Sequence, residues 1–336
     1  MTRTEVPEGF EQRAATAEDA AAIAELINEV CLAEVGVPWT TAEETRDALT
    51  APGRDPALAD SLLVDPDGAI VGYLSIDVTT DPLEIDQLAF VRPHLWGRGL
   101  SAWLLRLGEE RARARAAREP AGTRVPLRVP RFTTNEPASR LFTALGYGRA
   151  RTFRTMRIEL DDDPPAPRLP DGISIRTFEL GRDEAAVHGA LEEAFADHWG
   201  NVLRPFEDWI HHDIEGEGSG FDPGLWFLAT EGEEVVGAAI CRASSPRSEG
   251  TAEVADLAVR RPWRRRGIAL ALLHTAFAEF RRRGIPRAEL GVDAENPTGA
   301  THLYERAGMR EALSWEIWEK ELIAGDDPTR PPRALA

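Results

Sequence analysis

Lysine is nearly absent from this 336-residue sequence, because Lys320 is the only one among 39 lysines and arginines. A phosphate loop that depends on lysine and a buried Schiff-base lysine are therefore excluded. No apolar run approaches the ~20 residues that cross a membrane. Residues Met1 to Gln12 lack the basic-then-apolar pattern of a signal peptide. We expect a cytoplasmic protein with no membrane partner, and the strong preference for arginine suggests a bacterial, GC-rich genome.

Cysteine is scarce as well. Cys31 and Cys241 fall in different halves of the chain, in apolar settings, so core packing is favoured over a disulfide. No spacing of histidine, cysteine and carboxylate residues predicts a metal site. The net charge of −18 is opposite in sign to the basic surface that nucleic acid requires. We therefore expect small-molecule partners, no nucleic acid and no metal.

An internal repeat divides the chain into two halves. Each half contains a strand and a helix, a hairpin, and then a strand, a turn, a long helix, a strand and a short helix after an asparagine. The acidic, proline-rich stretch 161–170 cannot continue a sheet and is interpreted as a linker. We predict two α/β domains, 1–160 and 171–324, joined by this linker and followed by a flexible tail, 325–336.

A basic turn in the second half has the pattern of an anion site. The strand from Glu253 to Val259 runs into Arg264-Arg265-Arg266-Gly267-Ile268-Ala269, which opens directly into a helix. Such a turn aims several backbone N–H groups and the positive end of the helix dipole at one point. Gly267 and Ala269 let the backbone approach an anion closely. The turn predicts a phosphate site, and the alternative is a solvated basic turn that only caps the helix.

A second motif follows, from Asn296 through Tyr304 to Met309. Together the two motifs resemble the signatures of the GNAT acyltransferase superfamily, R/Q-x-x-G-x-G/A and N-x-x-A-x-x-L-Y-E-x-x-G-F. The departures are one extra residue before Ala300 and Met309 in place of phenylalanine. The resemblance spans nearly the whole chain. The motif matches are specific in the second half and looser in the first. It implies two tandem GNAT domains, each a mixed, mainly antiparallel sheet flanked by helices.

The resemblance also implies an activity, namely transfer of an acetyl group from acetyl-CoA to a primary amine of a small molecule. In this superfamily the basic turn holds the pyrophosphate of coenzyme A, and a backbone N–H of the preceding strand polarises the thioester carbonyl. Asn296 is expected to line the cofactor, although an asparagine before proline is also a common turn former. The expected cofactor-binding residues are Leu257, Val259, Arg264, Arg265, Arg266, Gly267, Ile268, Ala269 and Asn296.

Two catalytic roles follow from the same resemblance. Tyr304 matches the general acid that protonates the departing thiolate, the alternative being an aromatic packing residue. This chain resembles the mycothiol synthases, tandem members of the superfamily, in layout, and Glu253 matches their catalytic base. That carboxylate acts on the acceptor ammonium through a water chain. Asp256 is the competing base. Its odd separation from Glu253 predicts that the two lie on opposite faces of the strand, so at most one points into the cleft, and we prefer Glu253.

The first half departs from the superfamily pattern where chemistry is concerned. Trp96 takes the place of the arginine, Ser101 that of the last small residue and Phe142 that of the tyrosine. A phenyl ring has no proton to donate, so we expect a degenerate first domain and chemistry in the second. Gly97 and Gly99 still permit a phosphate turn in the first half.

The acceptor side remains open at this stage. Aromatic and histidine residues concentrate where the superfamily binds the acceptor: Asp197-His198-Trp199-Gly200-Asn201, Phe206, Trp209, His211, His212 and Trp226. The alternative places the tryptophans in the core and the histidines on the surface. Neither the acceptor nor the oligomeric state follows from these residues. A non-catalytic sensor or regulatory module that binds coenzyme A is the second functional hypothesis, and the presence of Tyr304 and Glu253 argues against it.

Overall fold

A computed structural model describes residues 5–325 except 52–57, 59, 81–82, 121, 197–204, 217–219, 246–247 and 296–298. The chain forms two compact units. Among the described residues, unit 1 extends to Thr152 and also includes the chain from Trp315 to Gly325, whereas unit 2 extends from Phe153 to Ser314. Each unit has its own buried apolar core.

Unit 1 is a six-stranded sheet with helices. Its elements are β1 (Glu11–Ala14), α1 (Ala20–Val35), α2 (Ala42–Thr50), β2 (Ser61–Val64), β3 (Ile70–Thr80), β4 (Leu83–Val91), α3 (Leu100–Ala116), β5 (Val125–Phe132), α4 (Glu136–Ala144) and the last part of β12 (Arg310–Ile323). The sheet order is β1-β2-β3-β4-β5-β12. All pairs are antiparallel except β4 with β5. Leu104 and Leu105 on α3 are fully buried in its core.

Unit 2 repeats this arrangement. Its elements are the last part of β6 (Gly148–Glu159), β7 (Ile173–Thr177), α5 (Glu184–Phe195), α6 (Phe206–Ile210), a π-helical turn (His211–Glu215), β8 (Trp226–Glu231), β9 (Glu234–Arg242), β10 (Thr251–Val259), α7 (Ile268–Arg282), β11 (Arg287–Asp293) and α8 (Ala300–Arg306). The sheet order is β7-β8-β9-β10-β11-β6, with only β10 and β11 parallel.

The central strand β9 of unit 2 has no charged residue from Val235 to Cys241, because helices cover both faces of the sheet. Val236, Ala239 and Cys241 pack with α7 and α8, whereas Ala238 and Ile240 pack with α5 and α6. Residues on one strand alternate between the two faces, so each face needs its own apolar set. The predicted α/β class and mixed sheet are confirmed.

The two long strands that end the repeats are exchanged between units. Phe153–Glu159 of β6 pairs with β11 in unit 2, and Trp315–Ile323 of β12 pairs with β5 in unit 1. The units therefore differ from the domains predicted at 1–160 and 171–324. The stretch 161–170 has no helix or strand and lies within unit 2.

Deleting residues 315–336 is expected to destabilise unit 1, although the deleted segment is distant from it in sequence. Trp318 is buried against Phe142, and Lys320 pairs with Glu109 at 2.8 Å. Loss of one buried tryptophan typically costs about 3 to 5 kcal/mol. Amide hydrogen exchange should accelerate in β5 and stay slow in β8 and β9. Faster exchange confined to unit 2 would contradict the strand assignment, and Trp318→Ala in the full chain is the milder control.

Candidate active site

The basic turn presents its backbone to solvent. Arg265 has φ 62° and Gly267 has φ 87°, so two left-handed residues shape the turn before α7 begins at Ile268. A Cβ added at Gly267 would meet no atom within 4 Å. The first N–H groups of α7 have no partner within the helix. The turn is therefore an open concave site whose backbone donors suit an anion.

Arg264 is engaged with the protein itself. Its Nε donates to the carbonyl of Val259 at 3.0 Å and an Nη donates to that of Ala194 at 3.1 Å. These bonds join the turn to the end of β10 and the end of α5. In the described structure Arg264 thus shapes the turn, and its contact with a pyrophosphate stays a prediction.

The corresponding turn of unit 1 has the same backbone. Gly97 has φ 81° and Gly99 has φ 80°. The Trp96 indole N–H donates to the Val91 carbonyl at 2.7 Å. Trp96 thereby makes the hydrogen bond that Arg264 makes in unit 2. The replacement of arginine by tryptophan changes the charge of the turn and leaves its geometry intact.

The parallel strands β10 and β11 separate beside this turn. Their pairing runs from Thr251 with Arg287 to Glu253 with Glu289, where it ends. Glu289 is 3 % exposed and its carboxylate accepts from Ser245, Ser248 and Arg157. That side chain is fully engaged. Glu253 stands opposite it at the mouth of the opening.

Glu253 has a single ion-pair partner in the described structure, Arg242. The Arg242 guanidinium donates to Glu253 at 3.0 Å and lies 3.4 Å from the carboxylate of Asp213 in the π-helical turn. Pairing with Arg242 fixes the position of the Glu253 carboxylate while part of it stays accessible to solvent. Sequence reasoning missed both Arg242 and Asp213, because the fold brings these residues together from separate parts of the chain.

The prediction that Glu253 and Asp256 lie on opposite faces is wrong. Residue Val254 is opposite Cys241, but Asp256 is opposite Ile240, so Ala255 is an extra residue in β10. Glu253 is opposite Arg242, two residues from Ile240 and hence on the same face. A β-bulge adds one residue to one strand and resets the alternation. Both carboxylates therefore lie on the face of the sheet that α5 and α6 cover.

Tyr304 on α8 is buried, with 8 % of its surface exposed. Burial, and secondly the negative charge of Asp256, raise the pKa of Tyr304 to about 12. The phenol is thus protonated at neutral pH and able to act as a proton donor. Its counterpart Phe142 instead packs against Tyr147 and Trp318, at ring distances of 6.0 and 5.8 Å.

Comparison with known proteins decides the family. The profile of the acetyltransferase (GNAT) family matches this chain twice, over residues 22–147 and 188–309. The chain belongs to the GNAT acetyltransferase family. It is an N-acetyltransferase built from two GNAT regions, as its turn and Tyr304 motif predicted.

Relatives of this GNAT acetyltransferase cover most of its length. A mycothiol acetyltransferase of Geodermatophilus obscurus is 33% identical over 264 residues, which is 76% of this chain and 81% of the relative. The solved structure of a GCN5-related N-acetyltransferase from Sphaerobacter thermophilus is 36% identical, with a TM-score of 0.83 over 97% of this chain and 100% of that one. A tandem GNAT protein from the clavulanic acid biosynthesis pathway shares the fold, at 19% identity and a TM-score of 0.65 over 94% of this chain and 100% of that one.

The region that we expect to bind the acceptor contains a group of aromatic rings. Trp209 and Trp226 are buried and lie 5.8 Å apart, as the alternative of core packing predicted. Phe206 is 41% exposed and lies 5.4 Å from His188, a residue that sequence reasoning missed. His211 and His212 are exposed. The predicted residues 197–201 and Asn296 fall outside the described residues.

The cysteines of the acetyltransferase are core residues, as predicted. Cys31 and Cys241 are buried and unpaired by a disulfide, and burial raises the pKa of the Cys31 thiol to about 12. Within the described ranges, no group of three or more His, Cys, Asp or Glu side chains could hold a metal ion. No helix among them is long and apolar enough to span a membrane.

Proposed function

We propose that this N-acetyltransferase moves an acetyl group from acetyl-CoA to a primary amine of a small molecule, with the chemistry in unit 2. The observation that carries the proposal is the arrangement around the opening between β10 and β11. The carboxylate of Glu253 lies at the edge of that opening. The protonated phenol of Tyr304 lies close enough to Asp256 that this negative charge contributes to its raised pKa. A basic turn with free backbone donors follows the same strand.

The residues present fit the cofactor. The exposed turn from Arg264 to Ala269 would hold the pyrophosphate through its backbone N–H groups and the charge of Arg265 and Arg266. Leu257 and Val259 lie on β10 past the point where pairing with β11 ends, so their main chain is available to the pantetheine arm and the thioester carbonyl. Asn296 remains a predicted contact.

The proposed reaction needs one base and one acid. Glu253 removes a proton from the ammonium through a water molecule, and the free amine attacks the thioester carbon. The carbon–sulfur bond breaks, and Tyr304 gives its proton to the departing thiolate; the new amide nitrogen loses its extra proton to water, and water returns a proton to Tyr304. A backbone N–H of β10 stabilises the oxyanion. Burial, and secondly the charge of Asp256, raise the pKa of the phenol and so keep it protonated.

A small-molecule acceptor is supported by two observations. Relatives at 33 to 34% identity are named for mycothiol, a small molecule. The face that α5 and α6 cover carries aromatic and histidine rings, Phe206 and His188 among them, and the Arg242–Asp213 pair. Aromatic faces with a few polar groups suit a compact organic ligand.

The proposal is tested by thiol release from acetyl-CoA with a panel of primary amines that includes the amine acetylated by mycothiol acetyltransferases. Mass spectrometry should detect the amide product. Tight binding of coenzyme A with no turnover on any amine would favour the sensor hypothesis and overturn this proposal.

Arg265→Gly is expected to weaken acetyl-CoA binding without loss of stability. Arg265 adopts a left-handed conformation, which costs a non-glycine residue roughly 1 kcal/mol. Glycine removes that strain together with the positive charge. We expect KM for acetyl-CoA to rise about tenfold, which corresponds to the loss of one charge-assisted hydrogen bond, while kcat is unchanged. Arg265→Lys keeps the charge and should leave KM near the wild-type value. An unchanged KM in the glycine variant would exclude Arg265 from the cofactor site.

A further inference from the structure

Unit 1 contains a cavity that the proposed reaction does not use. Its volume is about 290 Å³, and it lies at the point where β4 and β5 separate. Its lining combines three polar and three apolar residues. The lining residues are Ser75, Asp77, Asp86, Leu88, Pro130 and Ile317.

Asp86 is the counterpart of Glu253. The parallel pairing of β4 with β5 ends at Asp86 opposite Arg128, as that of β10 with β11 ends at Glu253. The neighbouring antiparallel strand differs between units. Glu253 is opposite Arg242, which supplies a cation, whereas Asp86 is opposite Asp77, a second carboxylate. On this antiparallel neighbour unit 2 has a cation and unit 1 has an acid, whereas on the parallel neighbour unit 1 has Arg128 and unit 2 has Glu289.

Arg128, the register partner of Asp86, lies near enough to lower its pKa, but its guanidinium is shared with other carboxylates. Arg128 pairs with Glu84 on β4 and with Glu319 on β12. In the part of the chain that the structure describes, Asp86 makes no hydrogen bond or ion pair. The pKa of Asp86 is raised to about 6, mainly by burial. Nearby Arg128 acts in the opposite direction, and the negative charges of Glu84 and Asp77 add to the rise. The cavity is therefore negative at neutral pH.

We propose that this cavity binds the primary ammonium group of a small aliphatic molecule. A primary ammonium has three N–H donors, which suit the carboxylates of Asp86 and Asp77 and the Ser75 hydroxyl oxygen. Leu88, Pro130 and Ile317 give its carbon chain an apolar wall. The described residues offer no group of three metal-binding side chains here, which favours an organic cation. This site is separate from unit 2 and does not depend on the proposed reaction.

Calorimetric titration of the full chain with n-butylamine tests the site, in the wild type and with Glu253→Gln, so that amine bound in unit 2 is counted separately. Asp86→Asn should weaken butylamine binding in unit 1 at least tenfold. 1-Butanol, which has the same chain without the charge, should not bind. Lowering the pH from 7.5 to 5 protonates most of Asp86 and should weaken binding roughly tenfold, since the amine stays charged throughout. Asp77→Asn should weaken binding to a smaller extent.

Asp67→Asn is the matched control, because Asp67 is an exposed acid of the same unit in the turn before β3. It should bind butylamine as the wild type does. Asp86→Asn should be at least as stable as the wild type at pH 7.5, since the amide carries no penalty for a buried charge. Equal affinity in the Asp86→Asn and Asp67→Asn variants, or equal binding of butanol and butylamine, would overturn the proposal, whatever the result of the transfer assay.

Discussion

Replacing Glu253 by glutamine is expected to lower kcat by about 100-fold to 1,000-fold, in the range of a lost general base. Glutamine has nearly the same shape but cannot take a proton from the acceptor ammonium. Its amide oxygen can still accept from Arg242, so the strand should keep its structure. The affinity for acetyl-CoA, measured by calorimetry, should stay within about twofold of the wild type, because we propose that the turn and not this carboxylate binds that ligand.

Asp256→Asn is the informative control, since the bulge brings Asp256 to the same face. We expect a smaller loss of kcat, because Asp256 acts on the phenol of Tyr304 and not on the acceptor. A larger loss for Asp256→Asn than for Glu253→Gln would exchange the two roles. A high concentration of an amine that is unprotonated at the assay pH should restore part of the Glu253→Gln activity, which a folding defect would not allow.

Tyr304→Phe is expected to lower kcat at least roughly tenfold while acetyl-CoA affinity changes little, as for a lost general acid. The ring stays in its apolar position, so packing is kept. A burial-raised pKa of about 12 means that the wild-type activity should show no loss from tyrosine ionisation up to about pH 10. Single-turnover measurements with saturating amine isolate the chemical step.

A reciprocal substitution separates chemistry from packing. Phe142→Tyr places a hydroxyl among Tyr147 and Trp318, and it should reduce stability by about 1 to 2 kcal/mol through an unsatisfied polar group. It should not restore turnover to the Tyr304→Phe variant, because unit 1 is not the proposed transfer site. Full activity in Tyr304→Phe would remove Tyr304 from the mechanism.

Local patterns in the sequence were sufficient for the family, the α/β class and the position of the turn. Gly267 and the helix after it form a unit of a few residues, so composition and spacing determine its geometry. The same holds for the hairpins and for the burial of Cys241 in an apolar strand. These features depend on near neighbours in the chain.

Other features depend on partners far away in the chain. Strict alternation placed Glu253 and Asp256 on opposite faces, and only the pairing with β9 reveals the extra residue Ala255. Trp96 looked like a lost function, yet its indole N–H makes the bond of Arg264. Neither result follows from residue type alone. A bulge is visible only in the pairing of two strands, and different side chains can donate the same hydrogen bond.

The exchange of β6 and β12 limits how this protein can evolve. A duplicated half without its catalytic tyrosine could be deleted over generations if the other half folded alone. Here deletion of the first repeat would also remove Phe153–Glu159, the edge strand of the unit that carries Glu253 and Tyr304. Selection on the acetyl transfer therefore also maintains the first repeat, which leaves it free to acquire a binding site of its own.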